Sequence, residues 1–134
     1  MKIVFAIVAL LLSASSLHAQ PLDPLDIEKQ LTPQTKALLA RFAPAAFKGD
    51  YQAMRNIAFT WSTDATRERP DALVVGCAWY AQILQRHKAK VHEGDVSNRD
   101  LYCGRLTPAN IQLALGLSTR IGMRIDDQRP VAAR

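Results

Sequence analysis

The side chains with the most capacity for acid–base or metal chemistry lie in the stretch HKAKVHEGD, residues 87–95. Its His92, Glu93 and Asp95 are metal-ligating residue types. The stretch lacks the two histidines four residues apart that a helical zinc site uses, and its glycine predicts a turn. The lysines suit the end of a helix, where the dipole favours cations. We therefore predict neither a metal site nor a cofactor.

Covalent catalysis has no recognisable motif in this sequence. A serine hydrolase places its nucleophile in a G-x-S-x-G turn, and no serine here has that setting. A catalytic cysteine must be a free thiolate beside a base, which a bridge between Cys77 and Cys103 would prevent. No pair of carboxylates stands out as the acid and base of a glycosidase. We therefore predict no catalytic residue.

Residues 1–19 have the plan of a signal peptide. Lys2 is followed by an apolar run from Ile3 to Leu12 and by a small, polar stretch ending at Ala19. The run is shorter than the roughly 20 residues of a membrane-spanning helix, which argues against a stable membrane anchor. We predict cleavage near Ala19 and a periplasmic or secreted protein.

The two cysteines, Cys77 and Cys103, are predicted to form a disulfide. Export places them where disulfides persist, and an even count favours pairing. A bridge closing a loop of this length stabilises by about 3.5 kcal/mol in the chain-entropy estimate. Two buried free thiols are one alternative and a redox pair is another, although redox pairs normally have only two residues between the cysteines.

The charge of the chain is mildly basic. Its 134 residues include 17 Lys and Arg and 12 Asp and Glu, a formal net charge of +5, from which cleavage removes Lys2. Proteins that bind nucleic acid gather their basic residues on one face, whereas these are scattered among acids. We therefore expect no nucleic acid partner, and the mature length fits one domain.

The elements that would position these side chains are helices. Apolar residues recur at spacings of three and four, and no segment alternates over the length of a strand. We predict an all-α fold of about five helices in antiparallel hairpins. An extended lead-in covers residues 20–31, a helical domain residues 32–125, and a flexible tail residues 126–134.

Capping and proline signals predict where the helices begin and end. The first opens at Thr32-Pro33 and ends at Gly49, the second follows Asp50, the third runs from Pro70 to about His87, the fourth from about Ser97 to Arg105, and the last opens at Thr107-Pro108. The segment between residues 62 and 69 is predicted to be a polar loop. The third helix has a wide apolar stripe, which indicates a middle helix buried on two sides.

The segment KGDYQAMRNIAFTW and, after Pro70, GCAWYAQIL resemble a SEL-one-like repeat, a relative of the tetratricopeptide repeat. The GD at residues 49–50 is similar to the start of the family's first helix, and AWY at residues 78–80 to its second. The chain departs from the family in the loop STDATRER, which lacks glycine. It also departs at Ala58, where glycine is usual for close helix approach. The resemblance covers residues 46–84 and implies a short solenoid, stapled here by the Cys77–Cys103 bridge.

The resemblance implies a scaffold that presents a groove to another protein. We predict an exported, non-catalytic interaction module of the bacterial periplasm or envelope. An immunity or inhibitor-type protein that blocks an exported toxin is one specific form. Polar and aromatic side chains on the helix pair make Arg55, Asn56, Trp61 and Tyr80 the candidate partner-binding residues.

Two other functions are open at this point. A small envelope enzyme acting on cell-wall material would bring His92, Glu93 and Asp95 together on a cleft. A structural subunit of a larger complex would expose Trp61 or Trp79, because an apolar patch is costly without a partner.

Overall fold

The computed structural model describes residues 31–64 and 70–128. Over these residues the chain forms five helices and no strand: α1 (Pro33–Ala46), α2 (Tyr51–Asp64), α3 (Pro70–Arg86), α4 (Glu93–Cys103) and α5 (Pro108–Gln128). The predicted all-α fold is confirmed. The predicted signal peptide, all of the lead-in before Leu31 and residues 129–134 of the tail lie outside the described residues. None of the five helices is both long enough and apolar enough to cross a membrane.

Capping side chains fix the starts of α1 and α2. The Thr32 hydroxyl accepts a hydrogen bond from the Thr35 amide at 3.2 Å, and the Asp50 carboxylate accepts one from the Ala53 amide at 2.7 Å. Between the two helices Gly49 has a φ of 83°, a left-handed conformation that suits glycine. The turn that these signals predicted is therefore present.

Three predicted boundaries are wrong. Helix α2 continues through Asp64 into the predicted polar loop, and α5 continues to Gln128 inside the predicted tail. Helix α4 begins at Glu93 instead of near Ser97, because His92 caps it. The His92 Nδ1 accepts from the Gly94 amide at 3.0 Å, so the predicted turn is the first turn of a helix.

Helix α3 is the middle helix of the fold, as predicted. Every residue from Ala72 to Tyr80 is buried, and α3 packs against α2, α4 and α5. The main core joins α3 to the other helices through large side chains that include Met54, Ile83 and Ile125. A smaller apolar cluster of Leu73, Val74, Cys77, Leu106 and Ala114 packs at the disulfide.

The contacts fix the directions of the helices. Thr35 donates to Asp64 at 2.8 Å, so α1 and α2 are antiparallel. Helix α3 is antiparallel to α2, because Gly76 lies against Ser62 and His87, just after α3, lies against Tyr51. It is also antiparallel to α4, because Cys77 is bonded to Cys103 and Tyr80 is hydrogen-bonded to Asn98. Helices α2 and α4 therefore run in the same direction, and their starts meet at the Arg55–Asp95 ion pair, with 2.5 Å between Nε and Oδ1. Helices α3 and α5 are also parallel. Gln82 contacts Ser118, and Arg86, one turn further along, contacts Asp126.

Helices α2 and α3 cross at Gly76. A Cβ atom added there would lie 2.1 Å from the Ser62 Oγ, 3.0 Å from the Ser62 amide nitrogen and 3.1 Å from the Ala58 carbonyl oxygen. Glycine at residue 76 is thus what allows the two backbones to approach.

Candidate functional site

Among the described residues, the charged side chain that is fully buried is Asp95, in the first turn of α4. The residue is 0% exposed. Its carboxylate accepts hydrogen bonds from the Tyr51 hydroxyl, from Arg55 Nε at 2.5 Å and from the His92 amide at 3.3 Å. Tyr51 and Arg55 are one turn apart on α2 and therefore lie on the same side of that helix. Asp95 thus joins the start of α4 to the start of α2.

These donors decide the charge of Asp95. Burial alone would raise the pKa of its carboxyl group. Hydrogen bonds from Tyr51, Arg55 and the His92 amide, together with the charge of Arg55, lower that pKa below its ordinary value. The pKa of Tyr51 is raised by burial and by its hydrogen bond to Asp95. At neutral pH Asp95 is therefore ionised and Tyr51 is protonated, and the hydrogen bond between them is maintained.

The acid–base group predicted as an alternative active site does not come together. His92 is a half-exposed cap, Glu93 is exposed, and Asp95 is buried beneath Tyr51 and Arg55. A substrate therefore has no access to the carboxylate of Asp95. Across residues 31–64 and 70–128 no group of three or more His, Cys, Asp or Glu side chains is placed to hold a metal ion.

A second polar centre, which the sequence did not indicate, fastens α5 to α3. The Gln82 amide group donates to the Ser118 carbonyl at 2.9 Å and to its hydroxyl at 3.0 Å. Arg86 donates to both carboxylate oxygens of Asp126, at 2.7 and 2.9 Å, and to the Gly122 carbonyl at 2.8 Å. This bidentate contact raises the pKa of Arg86. Both Gln82 and Ser118 are buried, so the centre has a structural role in holding α5.

The predicted disulfide is present and joins α3 to α4. Cys77 and Cys103 are bonded, with 5.2 Å between their Cα atoms. Beside the bridge the ring of Tyr80 stacks on Tyr102 with 6.0 Å between centroids. The Tyr80 hydroxyl is hydrogen-bonded to Asn98, and burial, with Tyr102 nearby, raises its pKa to about 12. Tyr80 is therefore a neutral core residue at the α3–α4 contact.

The four predicted partner-binding residues divide into two pairs. Arg55 and Asn56 lie at the surface of α2, where Arg55 pairs with Asp95 and Asn56 accepts a hydrogen bond from Gln52 at 3.2 Å. Trp61 and Tyr80 are only 4% and 1% exposed. Both rings belong to the core: Trp61 lies on the apolar stripe of α2, and Tyr80 lies at the α3–α4 contact. A partner cannot contact either ring in this structure.

An exposed row of side chains follows the outer side of α2. Gln52, Asn56, Phe59 and Thr63 recur at spacings of four, three and four, and each is exposed or partly exposed. We call these four residues the α2 stripe. Phe59 is 50% exposed and was not among the predicted residues. Its spacing of three from Asn56, outside the apolar stripe of Met54, Ile57 and Trp61, is the sequence signal for its position.

Comparison of the chain with known protein families, with curated proteins and with solved structures finds no match. The resemblance to SEL-one-like repeats therefore depends on the residues quoted above. Because a fold alone does not establish function, the surface side chains must carry any functional proposal.

Proposed function

We propose that the protein is an exported, non-catalytic interaction module of the bacterial periplasm or envelope that binds another protein through the α2 stripe. The observation that carries the proposal is Phe59, an aromatic ring half exposed between Asn56 and Thr63 on a helix whose other side is packed. Aromatic anchors surrounded by polar groups are typical of the centres of protein interfaces. Arg55 lies beside the stripe, but its guanidinium is already engaged by Asp95.

The directions of the helices support a repeat-like scaffold. Helices α2 and α4 are parallel to each other, and so are α3 and α5, as in two stacked helix hairpins. A SEL-one-like repeat that starts at Asp50 would place α2 as its first helix and α3 as its second. Stacked hairpins of this kind bury their apolar faces between neighbours and leave extended surfaces for partners.

Export is supported by two independent features. Residues 1–19 have the pattern of a signal peptide, and the Cys77–Cys103 bridge belongs to a compartment where disulfides persist. An immunity or inhibitor-type protein that blocks an exported toxin is the specific form that we consider first.

The experiment is affinity capture from the periplasm with the mature chain, residues 20–134, followed by mass spectrometry under non-reducing conditions. We expect one stoichiometric protein partner. Phe59→Ala should weaken its binding by about 30-fold, the effect of losing an anchor worth about 2 kcal/mol. Met123→Ala is the matched control, because Met123 is a large side chain, 62% exposed, on α5.

Two results would contradict the proposal. The first is capture of no partner over a range of growth conditions. The second is a partner that the Phe59→Ala chain binds as tightly as the wild-type chain, provided that circular dichroism shows both chains to be folded. The second result would retain an interaction module but remove the α2 stripe as its binding surface.

A further inference from the structure

Phe59 supplies the large apolar side chain of the α2 stripe. The residue is 50% exposed, and the other three members of the stripe, Gln52, Asn56 and Thr63, are uncharged. Covering the exposed part of the ring would stabilise a contact in proportion to the apolar area removed from water. An occupant of the stripe therefore needs apolar side chains, and its own charges meet no opposite charge within the stripe.

The N-terminal part of the chain joins the fold beside the α2 stripe. Leu31 is 5% exposed and packs in the main core, so the point at which the chain joins the fold is fixed. The Thr32 hydroxyl donates to the Thr35 hydroxyl at 3.0 Å, and Thr35 in turn donates to Asp64 at 2.8 Å. Asp64 is the last residue of α2 and directly follows Thr63. The segment that precedes Leu31 is therefore tethered at the end of α2 where the stripe ends.

This segment, residues 20–30, has apolar side chains and is long enough to reach the ring. Its sequence is QPLDPLDIEKQ, with three aliphatic residues, Leu22, Leu25 and Ile27. An extended chain spans about 3.3 Å per residue, so Ile27 can lie up to about 13 Å from Leu31. Phe59 is one helical turn, about 6 Å, from Thr63. The aliphatic part of the segment can therefore meet Phe59.

We propose that residues 22–27 lie across the α2 stripe and cover Phe59 with their aliphatic side chains. A tethered segment meets its site at an effective concentration of about 1 mM, so a weak contact is enough to populate the covered state. Because the stripe is also the surface proposed to bind another protein, the contact is autoinhibitory, and a partner must displace the segment. That consequence rests on the proposed function, whereas the contact itself does not.

The experiment is photo-crosslinking within the mature chain, residues 20–134. The photoreactive p-benzoylphenylalanine, which keeps the ring of phenylalanine, replaces Phe59 in one chain and Met123 in a control chain. Met123 is 62% exposed, and its neighbour Arg124 lies over the ring of Phe47, at the opposite end of α1 from Leu31. Mass spectrometry after proteolysis should locate the crosslink from residue 59 in residues 22–27. Its yield should exceed that from residue 123 to the same segment by about tenfold.

Two variants of the segment separate apolar contact from proximity alone. Leu25→Ser with Ile27→Ser should lower the yield at residue 59 by about fivefold or more, because the apolar area that drives the contact is lost. Asp23→Ser with Asp26→Ser is the matched control. It changes two side chains of the same segment to serine but keeps the aliphatic groups, and it should leave the yield unchanged because the stripe is uncharged.

Three results would overturn the contact. One is equal crosslinking from residues 59 and 123, and another is a yield that Leu25→Ser with Ile27→Ser does not lower in a chain that circular dichroism shows to be folded. The third is crosslinking to a second copy of the chain, which the mass of a dimer would reveal.

The autoinhibition is tested with a captured partner. The chain with Leu25→Ser and Ile27→Ser should bind that partner about threefold more tightly or better, because the stripe is then free in every molecule. Unchanged affinity would overturn the autoinhibition. Failure of the proposed function is distinguishable from failure of the contact, because crosslinking needs no partner and capture that depends on Phe59 would persist without the crosslink.

Discussion

Helices α2 and α4 both pack on α3, but they are held there by different forces. Helix α2 buries six residues, among them Met54, Ile57 and Trp61, and approaches α3 closely at Gly76. In α4 one residue is fully buried, and it is the carboxylate Asp95. Apolar area holds α2 in place, whereas α4 depends on an ion pair, a stacked ring and a disulfide.

The difference shows what a short polar helix requires. Burial of apolar surface stabilises the fold in proportion to the area buried and does not require one specific partner residue. A helix with a continuous apolar stripe can therefore be positioned by packing alone. When a short helix buries little apolar area, the stabilisation from that burial is smaller than the conformational entropy lost in ordering the helix. Specific bonds to Tyr51, Arg55 and Cys77 offset that deficit for α4, and each of them can be removed separately.

The largest effect should come from removing the bridge. The double substitution Cys77→Ala and Cys103→Ala should lower the free energy of unfolding by about 3.5 kcal/mol, because the unfolded chain regains the freedom of the closed loop. The loss should appear in urea unfolding followed by circular dichroism. Hydrogen exchange should accelerate in α4 far more than in α2. An unchanged unfolding free energy would mean that the non-covalent contacts of α4 suffice.

Loss of the Arg55–Asp95 ion pair should give the next largest decrease in the free energy of unfolding. Asp95→Asn keeps the shape of the side chain but removes the charge that meets Arg55 and one of the acceptor oxygens. We expect a loss of about 2 to 3 kcal/mol at pH 7, measured by urea unfolding, because the remaining donors are left incompletely paired. Asp100→Asn is the control. Its ion pair with Arg99, at 2.8 Å, lies at the surface and should matter little.

Lowering the pH should remove the stability that the ionised Asp95 supplies. The folded structure lowers the pKa of Asp95, whereas the pKa of an unfolded aspartate is about 3.9. The stability that Asp95 supplies is therefore fully present above about pH 4 and is lost as the pH falls through its lower folded pKa. The difference between the wild-type chain and Asp95→Asn should shrink when unfolding is measured at pH 3. A constant difference from pH 7 to pH 3 would assign the effect to shape and not to charge.

The same division decides how much of the fold could be predicted from sequence. Caps such as Thr32 and Asp50, prolines at helix starts and apolar spacing are local signals, and they predicted five helices and the middle position of α3. The disulfide was predicted from the even number of cysteines and the expected export. The start of α4 was misplaced because its cap is a histidine and because Asp95 has its partner 40 residues away on α2. Pairing over that distance leaves no local pattern.

The candidate binding residues show a related limit. Trp61 was chosen as an aromatic anchor, although its spacing already put it on the apolar stripe with Ile57. Phe59, two residues away, faces outward and was not chosen. Residue type favours the tryptophan as an anchor, whereas helical position predicts that the tryptophan is buried and the phenylalanine exposed, as the structure has them. The Gln82–Ser118 contact could not be predicted, since the two residues are 36 positions apart and neither has a local pattern that indicates its partner.

The close crossing of α2 and α3 allows the apolar packing of α2 to be tested separately from the polar contacts of α4. Gly76→Ala should destabilise the protein by about 2 kcal/mol, because the added Cβ meets the backbone of Ser62 and Ala58, which cannot move without separating the helices. Thermal unfolding would measure the effect. Exchange should accelerate at α2 and leave α4 less affected, the reverse of the pattern expected for the cysteine variant. A stable Gly76→Ala chain would show that the α2–α3 contact can widen without loss.

The smallest expected change in the free energy of unfolding is an increase, whereas the other substitutions lower it. Gly116 lies inside α5, and nothing is within 4 Å of the position where its Cβ would be. Gly116→Ala should therefore raise the unfolding free energy by about 0.5 to 1 kcal/mol, since alanine restricts the unfolded chain and favours the helix. Together with Gly76→Ala it forms a matched pair, the same added methyl group in a crowded and in an open setting. If Gly116→Ala destabilised the protein as much as Gly76→Ala, the loss at residue 76 could not be assigned to the close crossing.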